Sequence, residues 1–506
     1  CLKLHFSGNL VIFWFISFSP LMAKINLQEI KQKTTKNVLF LSLRNIGIQS
    51  ISTVGFFLLT ILLGTAEVGL FAIVAESVGI LGYFSDVGLA AALIQKKSEV
   101  KKKELQSTFT IQQILVFIAL IVIFFVYSKI SLTKGYGPKE FWIFTSLCFS
   151  FAMASLKTIP SVLLERKLNF KLISTIDIVE NVSFYLVAVV FAYFGFGAYS
   201  YAIATFVRSL LGLVLIYRYS RWPIGFALDW ASIKELFKYG IPFQLNSFIA
   251  MAKDRLSSLF VAGIIGREAF GILSWAQKGP RIPLSFMDAI MKVTFPTFAR
   301  LQDHKDILKK SLERSLYFIA LFVFPMVAGI TLISPDIINI IPKYTKWAPA
   351  IFPLYFYAAN VAIAAITTPI TNAFNAIGKI TLTTKFMIMW TVLTWILFPW
   401  LSIKFGYLGT AYATLLVGSS SFIVWYFAQK IFGVRVLSAI SKPLLATILM
   451  LIFSLIFQNF GFYGWVSLIG KVVISVSVYL LFHLLFSKNE IRWFYQQLLC
   501  LRQKNQ

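Results

Sequence analysis

The chain has 506 residues, 58% of them hydrophobic and only 13% charged, with a mean hydropathy of +0.79. That balance excludes a water-soluble globular protein, whose surface needs far more polar side chains. The formal charge of +27 would suggest nucleic acid in a soluble chain, but here the basic residues lie mostly between apolar blocks. No nucleic-acid partner is therefore expected, and the charge is assigned to membrane orientation and to anionic lipid headgroups.

The chain begins at Cys1, and residues 1–21 are expected not to belong to the natural protein; Met22-Ala23-Lys24 reads as its start. After a basic tail ending at 37, fourteen apolar blocks follow, each roughly the 20 residues that a membrane-crossing helix needs. Six lie at 38–63, 68–94, 109–127, 141–164, 172–194 and 199–217. A polar, basic and aromatic linker occupies 218–238. Six more lie at 239–265, 270–298, 316–333, 351–377, 386–403 and 408–428, and two extra blocks at 443–457 and 465–486. The expected fold is an all-α polytopic membrane protein with six-helix lobes at 38–217 and 239–428, two additional helices within 429–486 and a tail at 487–506.

The two lobes read as parallel copies. Gly64-Thr65-Ala66-Glu67-Val68-Gly69 is echoed by Gly266-Arg267-Glu268-Ala269-Phe270-Gly271, and Phe194-Gly195-Phe196-Gly197-Ala198-Tyr199 by Phe405-Gly406-Tyr407-Leu408-Gly409-Thr410. An ungapped alignment sets Arg44 opposite Asn246, Glu76 opposite Lys278 and Asp86 opposite Asp288. The basic loops at 96–103, 166–171, 218–238, 300–314, 379–385 and 430–442 fall on one side together with both termini. By the positive-inside rule that side is the cytoplasm.

Charges inside apolar blocks are costly unless paired or facing a wet cavity, so they carry the functional signal. The stretch 241–263 holds Lys253, Asp254 and Arg255. Lys278 and Arg281 flank a helix break written by Gly279, Pro280 and Pro283. With Arg44 these cations are the candidate anion site: Arg44, Lys253, Arg255, Lys278 and Arg281. Glu76, Asp86, Asp254 and Asp288 are the candidates for ion coupling or charge pairing; the alternative for Arg255 is a pair with Glu76 or Asp288. Asp177 and Glu180 are expected to pair with Arg166 or Lys157, and interface snorkelling is the alternative for Lys292, Asp86 and Arg208.

Covalent catalysis finds no foothold: there is no GxSxG elbow, Walker A loop or metal-ligand spacing, and Cys1, Cys148, Cys500, His5, His304 and His483 are scattered. The chain is read as a transporter rather than an enzyme, with no bound cofactor and with the membrane potential, protons or sodium as available energy sources.

Three stretches, 63–72 (LGTAEVGLFA), 84–95 (FSDVGLAAALIQ) and 295–300 (FPTFAR), resemble the polysaccharide exporter family. The likeness is to the O-antigen and colanic-acid type flippases within the multidrug/oligosaccharidyl-lipid/polysaccharide transporter group. It implies two six-helix lobes around a cavity, and alternating access across the bacterial cytoplasmic membrane. The implied cargo is a polyprenyl-diphosphate-linked oligosaccharide. Membrane lipids, a polysaccharide polymerase and chain-length components are the implied partners. The rival readings are a lipid II-type flippase, an ion-coupled drug extruder, whose cavity should be net acidic, and a non-transporting subunit of a polymerisation complex.

Overall fold

The computed structural model describes residues 47–487, apart from 87, 97–98, 135–136, 168, 231–232, 235–236, 238–247 and 249–250. Among the described residues every regular element is a helix. The first group is α1 (Gly47–Leu62), α2 (Thr65–Asp86), α3 (Leu89–Gln95), α4 (Lys102–Lys134), α5 (Pro138–Leu156), α6 (Thr158–Arg166), α7 (Phe170–Tyr193) and α8 (Tyr199–Tyr219). A π-helical turn (Ala252–Leu256) then leads into α9 (Ser257–Arg281), followed by α10 (Leu284–Arg300) and α11 (Lys305–Ile340). The chain continues through α12 (Ile351–Ala376), α13 (Ile380–Ser419), α14 (Phe422–Phe432), α15 (Val436–Gln458) and α16 (Gly464–Phe486).

Among the described residues ten helical stretches are long and apolar enough to cross a membrane, or eleven if the α5–α6 pair, bent by 41°, counts as one span. The expected number was fourteen, and the difference has definite places. α9 runs through Gly266 (φ 80°, ψ 173°) and α13 through Gly406 (φ 57°, ψ −138°), so each of these helical stretches joins parts of two sequence blocks across a bend. Only glycine tolerates such dihedrals, and both glycines belong to the repeated motifs. Of the first block only the short α1 is described. The second block, expected to run unbroken to 94, is divided: α2 stops at Asp86 and the short α3 restarts at Leu89.

Helix lengths also depart from block lengths. α4 has 33 residues, about 50 Å at 1.5 Å per residue, which exceeds a hydrocarbon core of about 30 Å. The segment 305–314, expected as a basic loop, is the first third of α11. Leu308, Leu312, Leu316 and Ile319 recur at helical spacing and are at most 2% exposed, so their stripe carries the charged residues between them into the helix.

The described residues divide into two compact units. The first takes in 47–275 with 390–410, and the second 276–389 with 411–487. In the first, one core gathers Leu70, Val78, Ile143 and Phe144 with partly buried neighbours, and a second gathers Leu89, Leu93, Phe109, Ile159 and Trp222. In the second, α10, α11 and α12 pack around Met287, Ile319, Val323 and Ala365. There α15 and α16 dock on α11 through Ala328, Ala446, Met450 and Tyr479.

α16 reports its solvent directly. Its buried residues are Ser467, Lys471, Ser475, Tyr479 and His483, four apart and all polar or amphipathic, whereas Val466, Ile469, Val473, Val476 and Leu480 are exposed. A helix in water shows the reverse pattern. An apolar outside over a hydrogen-bonded inside is what a lipid environment requires.

Candidate functional site

Lys253, Asp254 and Arg255 lie in the π-helical turn at the entry to α9. A π-turn is wider than an α-turn and loosens the local hydrogen-bond ladder, and such turns concentrate at functional sites. The Ala252 carbonyl accepts a hydrogen bond from Trp395 Nε1 at 3.2 Å, and the Trp395 ring packs against Phe260 with centroids 5.9 Å apart. Met251, the residue just before the turn, is buried at 1% exposure, and Ser257 Oγ donates to the Lys253 carbonyl.

The three charges then separate. Lys253 pairs with its neighbour Asp254. Arg255 crosses to α2, where Nη1 donates to Glu76 Oε2 at 3.1 Å. The Arg255 side chain is 38% exposed and that of Glu76 35%, so the pair lies on an open face of its unit. One turn along α2, Gly79 makes this approach possible: a Cβ there would stand 2.2 Å from Arg255 Nη1. Of the two partners weighed for Arg255, the structure supplies Glu76.

The remaining candidates fall elsewhere. Lys278 and Arg281 stand three apart in the last turn of α9, with Arg281 exposed, and the chain breaks at Ile282 and Pro283 before α10. This break is the one that the prolines announce. Asp288 is exposed on α10, and Lys292 follows it one turn later. These four belong to the second unit, whereas Glu76, Lys253, Asp254 and Arg255 belong to the first. Arg44 and the side chain of Asp86 lie outside the described residues.

Other charges settle into structural roles. Glu180, 6% exposed, takes Lys157 Nζ at 2.5 Å, which answers the expected Lys157 pairing, and lies 3.7 Å from Arg208 Nε. Arg166 donates to the carbonyls of Leu93 and Lys96, capping the C-terminal end of α3. Lys471, only 4% exposed, meets Asp336 of α11 at 2.8 Å. Glu67, which the motif reading left without a role, accepts from the Gly64 N–H at 2.9 Å and from the Ala198 N–H at 3.1 Å. It thus caps α2 and joins the first copies of both repeated motifs.

The glycine motifs also meet. A Cβ on Gly69 would lie 1.7 Å from the Arg267 carbonyl oxygen, and one on Gly271 would lie 2.0 Å from that of Thr65. The alignment equates Thr65 with Arg267 and Gly69 with Gly271, so the contact is reciprocal, as at a two-fold axis. Bare backbones in contact are the mark of small-residue helix packing in membranes. Beside it Arg267 Nη1 donates to Glu140 at 2.6 Å, and Thr65 Oγ1 to Glu268 at 3.3 Å.

The sequence model of the "polysaccharide biosynthesis protein" family matches residues 58–352, more than half of the chain and inclusive of Glu76, Gly79 and Arg255. The chain belongs to this family. Among curated proteins, the teichuronic acid biosynthesis protein TuaB of Bacillus subtilis is 27% identical over 289 residues, 56% of this chain and 58% of that protein. The lipopolysaccharide biosynthesis protein WzxC of Escherichia coli is 21% identical over 72% of this chain and 74% of its own length. The succinoglycan biosynthesis transport protein ExoT of Rhizobium meliloti is 22% identical over 57% and 60%. For TuaB and ExoT the chain thus spans less than two thirds of the relative's length. Among solved structures, the lipid II flippase MurJ in an inward closed conformation superposes with a TM-score of 0.71 at 16% identity, covering 90% of this chain and 100% of that one. A multidrug resistance MATE family transporter of the MOP superfamily, in an inward-facing conformation, gives 0.53 at 14% identity over 78% and 95%. At such identities these superpositions establish the family fold and nothing more.

Proposed function

We propose that the protein carries a polyprenyl-diphosphate-linked oligosaccharide across the bacterial cytoplasmic membrane by alternating access, with no covalent chemistry on its cargo. The observation that carries this reading is Arg255: a half-exposed guanidinium, set in a π-turn among membrane-length helices and held, among the described residues, by the Glu76 carboxylate. A sugar headgroup and a diphosphate cannot enter hydrocarbon bare. A guanidinium replaces their hydration with charge-assisted hydrogen bonds and fits a phosphate with two parallel N–H groups. Lys253 beside it, Lys278 and Arg281 at the α9 break, and Arg44 contribute further positive charge along the path. The biosynthetic roles in the names of TuaB, WzxC and ExoT support a polysaccharide cargo. A net basic set of residues favours an anion over the cationic drugs of an extruder.

Two duplicated lobes, joined by the 218–238 linker, rock between states while the polyprenyl tail stays in the bilayer. Energy comes from the membrane potential or from protons or sodium, with Glu76, Asp86, Asp254 and Asp288 as the acids available for coupling. Both termini face the cytoplasm, and a polysaccharide polymerase and chain-length components are its partners in the membrane.

The test is transport of a lipid-linked oligosaccharide in proteoliposomes at matched protein amounts. Arg255→Gln is expected to reduce the rate roughly tenfold or more and Arg255→Lys less, because lysine keeps the charge but not the fork. Equal rates in wild type and Arg255→Gln would overturn the assignment.

A further inference from the structure

We propose that Glu76 is a built-in stand-in for the cargo's phosphate: in the empty carrier it occupies Arg255, and an arriving diphosphate takes that guanidinium over and unties α2 from the π-turn. This rests on the reading of Arg255 as the phosphate-binding residue.

Three features make Glu76 a competitor rather than a fixed support. The first is the single contact between the pair among the described residues. One Glu76 oxygen meets one Arg255 nitrogen at 3.1 Å, although a guanidinium offers five N–H groups and accommodates two acceptor oxygens side by side. A diphosphate brings more charge and paired oxygens, so it has the stronger claim on the same fork.

The second is the exposure of the pair. With 38% and 35% of the two side chains open, an anion can reach the guanidinium without prior unfolding of the helices around it. Glu180 differs: 6% exposed and held by two cations, it cannot trade partners without stranding buried charge.

The third is the shape of α2. At Thr65 and Gly69 this helix rests backbone to backbone against Arg267 and Gly271. At Glu76 and Gly79 it is tied by an ion pair that a competing anion can open. Release of Arg255 therefore frees the middle of α2 while its first turn stays docked. The π-turn, braced by Trp395 on the Ala252 carbonyl, remains in place as the binding platform. Return of Glu76 to Arg255 then helps expel the cargo, so the same acid that weakens binding speeds release.

Two substitutions separate these effects. Glu76→Gln removes the competing charge. Gly79→Ala keeps the charge but places a methyl where Arg255 Nη1 lies, driving the guanidinium off Glu76. Binding is measured by calorimetry on the purified protein in nanodiscs, with geranylgeranyl diphosphate as the lipid-borne probe and inorganic diphosphate as the free one. Transport is measured in proteoliposomes. Both variants are expected to bind geranylgeranyl diphosphate several-fold more tightly than wild type, and Glu76→Gln to lower both the apparent KM and the turnover number. Tighter binding of inorganic diphosphate as well assigns the competition to the phosphates; tightening for the lipid-borne probe alone would overturn the stand-in, since the tail and not the phosphate would then be responsible. Arg255→Gln separates the two layers. If it binds both probes as wild type does, the reading of Arg255 as the phosphate site fails. If it loses binding while Glu76→Gln binds equally or more weakly, Arg255 stands as the site and the stand-in is wrong, with Glu76 only positioning it.

Discussion

Two ion pairs within membrane-length helices carry the same chemistry and opposite surroundings. Lys471 of α16 meets Asp336 of α11 with 4% and 17% of their side chains exposed. Arg255 meets Glu76 with 38% and 35% exposed. The first is enclosed by the polar stripe that α16 turns inward, so among the described residues the two charges hold each other. The second lies open, and either charge can exchange its partner for water or for a ligand. Charge inside a membrane protein therefore does not mark function by itself. Exposure of the pair separates a structural tie from an exchangeable one.

The largest expected effect tests the enclosed pair. Lys471→Leu leaves Asp336 unpaired and should destabilise the protein by about 3–5 kcal/mol, the range for breaking a buried pair. Thermal unfolding in detergent measures this, and Lys471→Leu combined with Asp336→Leu should recover most of the loss. An unchanged melting temperature in the single variant would remove the basis of the comparison.

A smaller effect is expected where the glycine motifs touch. Gly69→Ala forces the α2 and α9 backbones apart, which should lower stability by about 1–3 kcal/mol, as overpacking does. Gly271→Ala should match it, because the contact is reciprocal. Very different melting temperatures for the two would break the two-fold relation. The smallest effect belongs to the open pair: Glu76→Gln should change stability by less than about 1 kcal/mol, since exposed pairs contribute little. A large loss of stability there would move Arg255–Glu76 into the same class as Lys471–Asp336.

Much of the architecture was legible because its cause is local. Blocks of about 20 apolar residues have one economical meaning in a chain this hydrophobic. The break at Gly279, Pro280 and Pro283 follows from a missing N–H and a steric clash, and α9 does end at Arg281. The repeated glycine motifs were visible as an echo. Their contact was not, since alignment equates Gly69 with Gly271 without bringing them together. The basic segment before 315 misled for a physical reason: its leucines recur at helical spacing, but its charges suggested a loop, and burial of the leucine stripe prevailed.

The candidate site divides in the same way. Composition and patterning by themselves determined that the protein lives in a membrane, that its helices carry costly charges, and that Lys253, Asp254 and Arg255 are among them. Partner choice was beyond them. Three consecutive charges fan around any helix, and only the folded chain decides that Lys253 turns to Asp254 while Arg255 crosses to Glu76 over the gap at Gly79. Local periodicity sets which residues a helix presents, but long-range packing sets what they meet, and an ion pair between residues 179 positions apart is a property of that packing alone.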